Sequence, residues 1–323
     1  MIQLDHNRLL VKIARMYFED DLTQHQIAER LRLSRQKVQR LLQQAREEGI
    51  VQIGIRPIMG IFSDLEKALE ARYGLREAVV ITTSNYDNHP TVAREVGAAA
   101  AEYLARVIRS KDRIVISWGE SILGMVNAVS YGPRVNVEGV RVIQGLGGLG
   151  DPNHEGHGAE LTRRLAKALD AEAVLLPAHG VAGSRSARNA LLKDRYVSQA
   201  LEEAREATLA VMGIGAPRSD SILVEEGRIV RWAELEALMK TGAVGDINLR
   251  YFDAHGQAVS SDLDERMIGL TLKEIRRIGH VVGVAGGSAK LKAIRGALEG
   301  KLIDVLVTDH VTAQNLLNKE ANP

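Results

Sequence analysis

Short apolar runs alternate with longer amphipathic runs over most of this chain, from residue 78 onward. Short apolar strands separated by helices are typical of a mostly parallel sheet covered by helices on both faces. We therefore predict an α/β fold for this part of the chain. The predicted strands are 78–83, 113–117, 139–144, 173–176, 207–214, 281–285 and 304–308. The predicted helices are 90–109, 120–129, 158–169, 188–205 and 288–299.

The N-terminal part has a different pattern. Residues 22–49 read LTQHQIAERLRLSRQKVQRLLQQAREEG, which predicts two short amphipathic helices joined by a tight turn. Thr23 and Gln26 have the spacing of a capping box, and Ser34 is placed to cap the second helix. That helix is predicted to run to Glu48, with Gly49 just after it. Its apolar positions share one side: Val38, Leu41, Leu42 and Ala45.

The opposite side of the second helix is basic and rich in amides. From Arg30 to Arg46 there are six basic residues and no acidic residue. A cationic helix with Arg, Gln and Lys side chains facing outward is suited to the major groove of DNA. We assign Gln36, Gln39 and Arg40 to base edges, with Gln43 as a further candidate. We assign three to phosphates: Ser34, Arg35 and Lys37. The alternative is a solvated face on a three-helix packing module.

Charge supports the DNA interpretation for the N-terminal part alone. Residues 1–56 hold 10 Lys and Arg against 7 Asp and Glu, a net charge of +3. The remaining residues hold 32 against 34, a net charge of −2. The turn between the two helices contains Arg32 where such turns often have Gly. If this residue has a positive φ, we expect it to be strained.

Three further segments complete the predicted organisation. Residues 5–19 have helical spacing, and 50–55 alternate like a short strand. Residues 63–73 form a helix, with Ser63 and Glu66 as its cap and Gly74 at its end. An apolar stripe on this helix is expected to contact a second subunit: Ile61, Leu65, Ala68 and Leu69. The predicted parts are a helix-turn-helix domain (1–56), a linker or oligomerisation helix (57–76) and a ligand-binding domain (77–323).

Composition excludes several classes of protein. There is no Cys, so neither disulfides nor thiolate chemistry is available. The first residues lack the apolar core of a signal peptide, and the most apolar window (114–132) contains Glu120 and Asn127. We therefore expect a cytoplasmic protein.

Four loops follow predicted strands or lie near the same edge of the sheet, where ligands bind in α/β proteins. They are 117–121, 145–150, 242–246 and 285–290. In the last loop, Gly286 and Gly287 would let the backbone approach an anion, and Lys290 adds a charge suited to phosphate. A plain turn with a solvated Lys is the alternative.

The other loops offer weaker signals. Residues 145–150 match G-x-G-x-x-G, but the next helix starts too late for a dinucleotide site, so we predict a ligand-approaching loop or a structural turn. Glu120 and Asp246 are candidates for sugar hydroxyls, with surface or capping roles as the alternative. His154, Glu155 and His157 do not have zinc spacing, and Ser121 lacks a nucleophile-elbow context. No metal, cofactor or catalytic residue is predicted.

The chain resembles the SorC/DeoR-type sugar-binding transcriptional regulators. The matching segments are LTQHQIAERLRLSRQKVQRLL, SWGES, GLGG, GAVGDI, GVAGGSAKLKAIRGAL and LVTD, in this order over nearly the full length. The resemblance implies an N-terminal DNA-binding domain and an effector domain similar to sugar-phosphate isomerases. It also implies a phosphorylated-sugar effector, a dimer or tetramer, and no catalysis. By the same resemblance, Asp246 meets sugar hydroxyls and Lys290 meets the phosphate.

Residues and resemblance together predict a DNA-binding regulator of a carbohydrate-utilisation operon, controlled by a phosphorylated sugar. Its predicted partners are operator DNA, that effector and further copies of the chain. The alternatives are a sugar-phosphate isomerase-like enzyme with an appended DNA-binding domain and an architectural DNA-binding protein without ligand. The predicted effector-binding residues are Gly119, Glu120, Ser121, Gly147, Gly148, Asp246, Gly286, Gly287 and Lys290.

Overall fold

The chain forms two compact units, Met1–Met59 and Gly60–Pro323. A computed structural model describes residues 2–51, 60–133, 135–149, 158–218 and 230–318. Most of the strand predicted at 50–55 lies outside the described residues.

The first unit contains α1 (Ile2–Phe18), α2 (Gln24–Leu31) and α3 (Arg35–Glu47). The predicted caps are confirmed. Gln26 donates its backbone N–H to Thr23 Oγ1 at 3.3 Å, and Thr23 donates its own to Gln26 Oε1 at 2.9 Å. Ser34 Oγ accepts the backbone N–H of Lys37 at 3.2 Å. The four predicted apolar residues of α3 are buried against α1 and α2, together with Leu10, Ile13 and Ile27.

The turn between α2 and α3 has the strained backbone expected from its sequence. Arg32 has φ 52° and ψ 45°, which is the left-handed region. In this conformation its N–H donates to the carbonyls of Ala28 and Glu29 and closes α2. A side chain with a Cβ adopts the left-handed region at a cost that Gly does not bear.

The second unit is built on a sheet whose strands confirm all seven predicted runs. In chain order the strands are β1 (Glu77–Ile81), β2 (Arg113–Ile116), β3 (Arg141–Gln144), β4 (Glu172–Val174), β5 (Leu209–Gly215), β6 (Gly245–Ile247), β7 (Arg250–Phe252), β8 (Val281–Val284) and β9 (Val305–Asp309). The order β1-β9-β8-β5-β2-β3-β4 is parallel throughout. The hairpin β6–β7, which the sequence did not predict, pairs antiparallel with the end of β5.

Helices cover both faces of this sheet, as predicted for a parallel sheet. The helices described in this unit are α4 (Ser63–Tyr73), α5 (His89–Val107), α6 (Glu120–Tyr131), α7 (Gly158–Ala168), α8 (Arg185–Leu191), α9 (Arg195–Arg205), α10 (Trp232–Lys240), α11 (Asp262–Arg266), α12 (Leu272–Ile275), α13 (Leu291–Glu299) and α14 (His310–Leu317). One apolar cluster joins the sheet to α5, α6 and α7, and another joins the opposite face to α4, α9, α13 and α14. Successive residues of a strand point to opposite faces and pack in different clusters, as Leu209 and Ala210 of β5 do.

Two helix predictions need correction. The helix predicted at 188–205 is two helices, because the Asp194 carboxylate accepts the N–H groups of Tyr196 and Val197 and starts α9 anew. The helix predicted from residue 288 begins with a 3₁₀ turn, Ser288–Lys290, before α13.

The helix predicted as an oligomerisation element packs on its own domain. Leu69 is fully buried there, Leu65 is partly buried, and Tyr73 donates its hydroxyl to the Leu316 carbonyl at 3.0 Å. The prediction of an intersubunit stripe is therefore wrong for Leu69, while Ile61 stays 55% exposed. The predicted cap is wrong as well, because Glu66 accepts the Val80 N–H at 2.9 Å and no side chain caps α4.

None of the helices among the described residues has the length and apolar character needed to cross a membrane.

The backbone of Arg32 yields a stability prediction. Arg32→Gly should stabilise the first unit by about 0.5–1 kcal/mol, because Gly adopts the left-handed conformation without strain. Arg30→Gly is the matched control: the same change at an exposed position inside α2 should destabilise by about 1 kcal/mol. Native-state hydrogen exchange of α3 amides measures both changes. Lower protection in Arg32→Gly would contradict the strain at this turn.

Candidate DNA-reading face and ligand pocket

The strand order of the second unit places a crevice between β2 and β5. From β2 the chain proceeds to β3 and β4 on one side, and β5 then lies on the other side of β2, followed by β8 and β9. Such a switch point is where α/β sheets bind ligands, at the carboxyl ends of the strands. A pocket opens there. Its lining consists of His89, Ser117, Trp118, Gly119, Glu120, Ser121, Gly213, Ile214, Gly215, Ala216, Arg218, Asp246, Asn248 and Lys290.

The loop after β2 gives one wall of the pocket. Gly119 has φ 109°, and this glycine-favouring backbone turns the chain into α6 at Glu120. Glu120 Oε2 lies 2.8 Å from Nε2 of His89, the first residue of α5. This contact to His89 is the main reason that the pKa of Glu120 is lowered, and the charges of Lys290 and Arg218 add to it.

The β6–β7 hairpin gives the opposite wall. Gly215 of β5 pairs with Asp246 of β6. The two-residue connection Asn248–Leu249 has φ 58° and 59°, the positive values of a type I′ turn. This turn brings the Leu249 N–H to Asp246 Oδ2 at 3.1 Å. The carboxylate is therefore held in one orientation at the pocket edge.

Gly215 leaves the space that the Asp246 carboxylate occupies. A Cβ at residue 215 would lie 2.1 Å from Asp246 Oδ1, so no other residue fits without moving the carboxylate. Asp246 is only 8% exposed. Burial raises the pKa of its carboxyl to about 6, against the lowering effects of the Leu249 N–H and the Lys290 charge.

Lys290 lies at the end of the 3₁₀ turn that follows β8 and is partly buried. Desolvation lowers the pKa of its ammonium group, whereas the carboxylates of Glu120 and Asp246 act in the opposite direction. The pocket thus brings the cations Lys290 and Arg218 together with the carboxylates of Glu120 and Asp246. This arrangement can bind an anionic group and hydroxyl groups side by side.

Gly286 and Gly287 are outside the pocket lining, and their roles are structural. Gly287 donates its N–H to Asp309 Oδ2 and to Thr312 Oγ1, both at 2.9 Å. A Cβ at residue 286 would lie 2.3 Å from Asp309 Oδ2. The Gly-Gly pair, which we predicted to let the backbone approach an anion, therefore accommodates the buried carboxylate of Asp309, and the Gly287 N–H is bonded within the protein.

Gly147 and Gly148 also lie outside the lining. Gly148 donates to the Ala178 carbonyl at 2.8 Å and accepts the Gly180 N–H at 2.7 Å. A Cβ at residue 147 would lie 2.6 Å from the Ala178 carbonyl oxygen. In this glycine-rich segment two backbone stretches therefore pack closely against each other. This agrees with the structural turn, one of the two alternatives that we predicted for residues 145–150. Gly150 lies outside the described residues.

Five predicted effector residues line the pocket together: Gly119, Glu120, Ser121, Asp246 and Lys290. Sequence reasoning missed His89, Arg218 and the end of β5. Gly213 and Gly215 in an apolar strand were a usable signal, because glycines in strands mark close approaches. Nothing in the sequence distinguished His89 or Arg218. Within the described ranges no three potential metal-ligating side chains cluster, and His154, Glu155 and His157 fall outside those ranges.

In the first unit, α3 presents every predicted DNA-reading residue to solvent. Ser34, Arg35, Gln36, Lys37, Gln39, Arg40 and Gln43 are all exposed. Gln43 donates to Glu47 Oε1 at 3.0 Å, so a base contact by Gln43 would have to replace that bond. Arg46 lies over the Phe18 ring at 5.4 Å, which directs its charge toward α1.

A helix-turn-helix unit joined to an α/β domain with a switch-point pocket defines a ligand-responsive DNA-binding protein. Residues 60–318 match the family described as "Putative sugar-binding domain". The deoxyribonucleoside regulator of Bacillus subtilis (strain 168) is 35% identical over 317 residues, which are 97% of this chain and 98% of that protein. The sorbitol operon regulator of Klebsiella pneumoniae is 30% identical over 320 residues, 97% of this chain and 98% of that one.

Solved structures agree with these similarities. The full-length sorbitol operon regulator SorC from Klebsiella pneumoniae has a TM-score of 0.71 at 29% identity, covering 96% of this chain and 98% of that chain. A DeoR family transcriptional regulator from Listeria monocytogenes has a TM-score of 0.70 at 28% identity, covering 78% and 98%. The chain belongs to the SorC/DeoR-type family of transcriptional regulators with a sugar-binding domain.

The exposed face of α3 yields a prediction for DNA binding. Arg40→Ala should cost about 1–3 kcal/mol on an operator selected from random DNA by the native protein, and much less on scrambled DNA. Lys37→Ala should weaken both complexes alike and reduce the salt slope by about one, as expected for a phosphate contact. Fluorescence anisotropy over a salt series measures both. Equal losses on the two DNAs in Arg40→Ala would remove its base-reading assignment.

The buried carboxyl of Asp246 yields a pH prediction. Below about pH 4 it is protonated in both folded and unfolded chains, so it has no effect on stability. Between about pH 4 and pH 6 the unfolded chain gives up this proton while the buried carboxyl keeps it, so the folded state loses stability over this window, and the loss is complete above the folded pKa of about 6. Asp246→Asn should therefore stabilise the protein by about 1–3 kcal/mol at pH 8, and the gain should vanish toward pH 4.

Denaturant unfolding at several pH values measures this difference, with the exposed Asp262→Asn as control. A variant that is equally or less stable than the native chain at pH 8 would contradict the burial of this carboxyl.

Proposed function

We propose that the chain regulates transcription of a carbohydrate-utilisation operon and that a phosphorylated sugar binds its pocket. The observation that carries this proposal is the position of Lys290 between Asp246 and Glu120 in a switch-point pocket. A family assignment alone leaves the ligand open, whereas this charge pattern suits a molecule with one anionic end and several hydroxyl groups.

Lys290 and Arg218 are proposed to bind the phosphate. An ammonium group is a compact charge that binds phosphate well, and a guanidinium group offers several N–H donors to its oxygens. Both lie in the pocket lining, and both influence the pKa of Glu120, so they act on the same space.

Asp246 is proposed to bind hydroxyl groups of the sugar, with Glu120 as a second acceptor. An ionised carboxylate accepts several hydrogen bonds. Asp246 Oδ2 uses one of these on the Leu249 N–H, and the remaining positions are open to a ligand. Glu120 already contacts His89, so the ligand would share or displace that partner.

Regulation requires the ligand to distinguish two states of the protein. A ligand shifts DNA affinity only by binding two arrangements of the assembly with different affinities. We propose a homodimer or homotetramer, because one recognition helix reads only a half-site. We propose a cytoplasmic location, because a protein that regulates transcription must reach its operator DNA.

A catalytic role is the alternative. Lys290 and the two carboxylates are residue types that an isomerase would use, but the relatives are named as transcriptional regulators. We propose that the pocket binds its ligand without turnover. A steady-state assay over a panel of sugar phosphates tests this, and turnover abolished by Asp246→Ala would establish the enzyme instead.

The phosphate assignment yields a prediction. Lys290→Ala should weaken a phosphorylated sugar at least about tenfold, or about 1.4 kcal/mol, because a charge-assisted contact is lost. It should barely change the weaker binding of the unphosphorylated sugar. Asp246→Ala should weaken both forms. Calorimetry with a sugar and its phosphate ester, chosen by a thermal-shift screen, measures these effects.

Lys292→Ala is the matched control, since Lys292 is exposed and only two residues away. It should leave both affinities unchanged. Equal losses for the two ligands in Lys290→Ala would place the phosphate elsewhere in the pocket.

A further inference from the structure

Lys290 serves as a shared countercharge in the pocket. It lines the same pocket as the carboxylates of Glu120 and Asp246, and its charge lowers the pKa of both. These two carboxylates differ in their surroundings: the Glu120 side chain is 44% exposed and contacts His89, whereas the Asp246 residue is 8% exposed. If an anionic ligand binds Lys290, Glu120 is still stabilised by solvent and by His89. Asp246 keeps only its local contacts.

The local contacts of Asp246 are few. Among the described residues, its stabilising neighbours are the Leu249 N–H and Lys290. Tyr251 of β7 lies directly across the hairpin; burial raises the pKa of its phenol, and the negative charge of Asp246 raises it further. From β5 the neighbour is Gly215, which carries no charge. α13 packs Ala293 against Gly245 and sets no charged group of the described chain against Asp246.

We propose that Asp246 takes up a proton when a dianionic ligand binds at Lys290, so that ligand and proton occupy the pocket together. This inference rests on the proposed function and adds a mode of regulation to the same site. A buried carboxylate that loses its countercharge and gains a dianion as neighbour is more stable in its neutral form. Protonation removes that repulsion without moving the hairpin.

Protonation of Asp246 costs little free energy even in the pocket without ligand. Burial already raises the pKa of Asp246 to about 6, so its neutral form lies close in free energy at neutral pH. In the complex the protonated carboxyl has an O–H group and can donate it to a ligand oxygen while still accepting at its other oxygen. By linkage, the affinity for the dianion must then rise as pH falls.

Sulfate is the probe for the test, because it remains a dianion throughout the pH range used. Calorimetry of the full chain at constant ionic strength gives the affinity between pH 8 and pH 6. Comparison of buffers with different ionisation heats gives the protons taken up. We expect net proton uptake and an affinity that rises about threefold to tenfold per pH unit as pH falls, one whole proton corresponding to about tenfold.

Three variants identify the residue that binds the anion and the residue that takes up the proton. Lys290→Ala should abolish the pocket component of sulfate binding. Asp246→Asn should retain sulfate binding with a flat pH profile, because its side chain is neutral throughout. His89→Gln should keep the pH dependence, because His89 contacts Glu120 and not Asp246.

The outcomes separate this inference from the proposed function. Lys290-dependent binding without proton uptake overturns the proton coupling and leaves the anion site intact. A pH dependence that survives in Asp246→Asn and disappears in His89→Gln also overturns it, since the proton then resides at the His89–Glu120 pair. Absence of any Lys290-dependent sulfate binding overturns both the anion site and the proton coupling.

Discussion

The antiparallel pairing of Gly215 with Asp246 is the contact on which the pocket depends. It attaches a short hairpin to the end of a central parallel strand and brings a carboxylate to the sheet's switch point. Two features make it work: Gly215 has no Cβ in the space of that carboxylate, and the positive φ of Asn248 and Leu249 closes the turn tightly enough for a backbone N–H to hold it.

The electrostatics of the site follow from that placement. Because Asp246 is buried, it requires a cation, and the 3₁₀ turn after β8 supplies Lys290 from the neighbouring strand. Glu120 approaches the same cation from α6 and is stabilised by His89. Lys290 thus acts on both carboxylates, and its charge lowers the pKa of each. The charged ligand that we propose would change these interactions, and such a change is what an allosteric signal to the DNA-binding unit requires.

The sequence predicted the strands well, because seven buried parallel strands leave near-continuous apolar runs. It also predicted the caps at Thr23 and Ser34, where side chain and helix end are local. It could not anticipate contacts between segments that are far apart in the chain: Gly286 was assigned to an anion but accommodates the Asp309 side chain, and only the structure shows that Gly147 packs on the backbone at Ala178. The three-residue strands β6 and β7 and the side chain of His89 left no periodic signal, although they shape the pocket.

We propose that occupancy of the pocket lined by Lys290 and Asp246 controls DNA binding by the first unit. The most direct measurement is operator affinity by fluorescence anisotropy, with and without a saturating sugar phosphate, for the native chain and for Lys290→Ala. We expect the ligand to change the operator affinity of the native chain at least about fivefold and to leave that of the variant unchanged at the same concentration. An equal change in both proteins would contradict this proposal, as would a native affinity that the bound ligand does not alter.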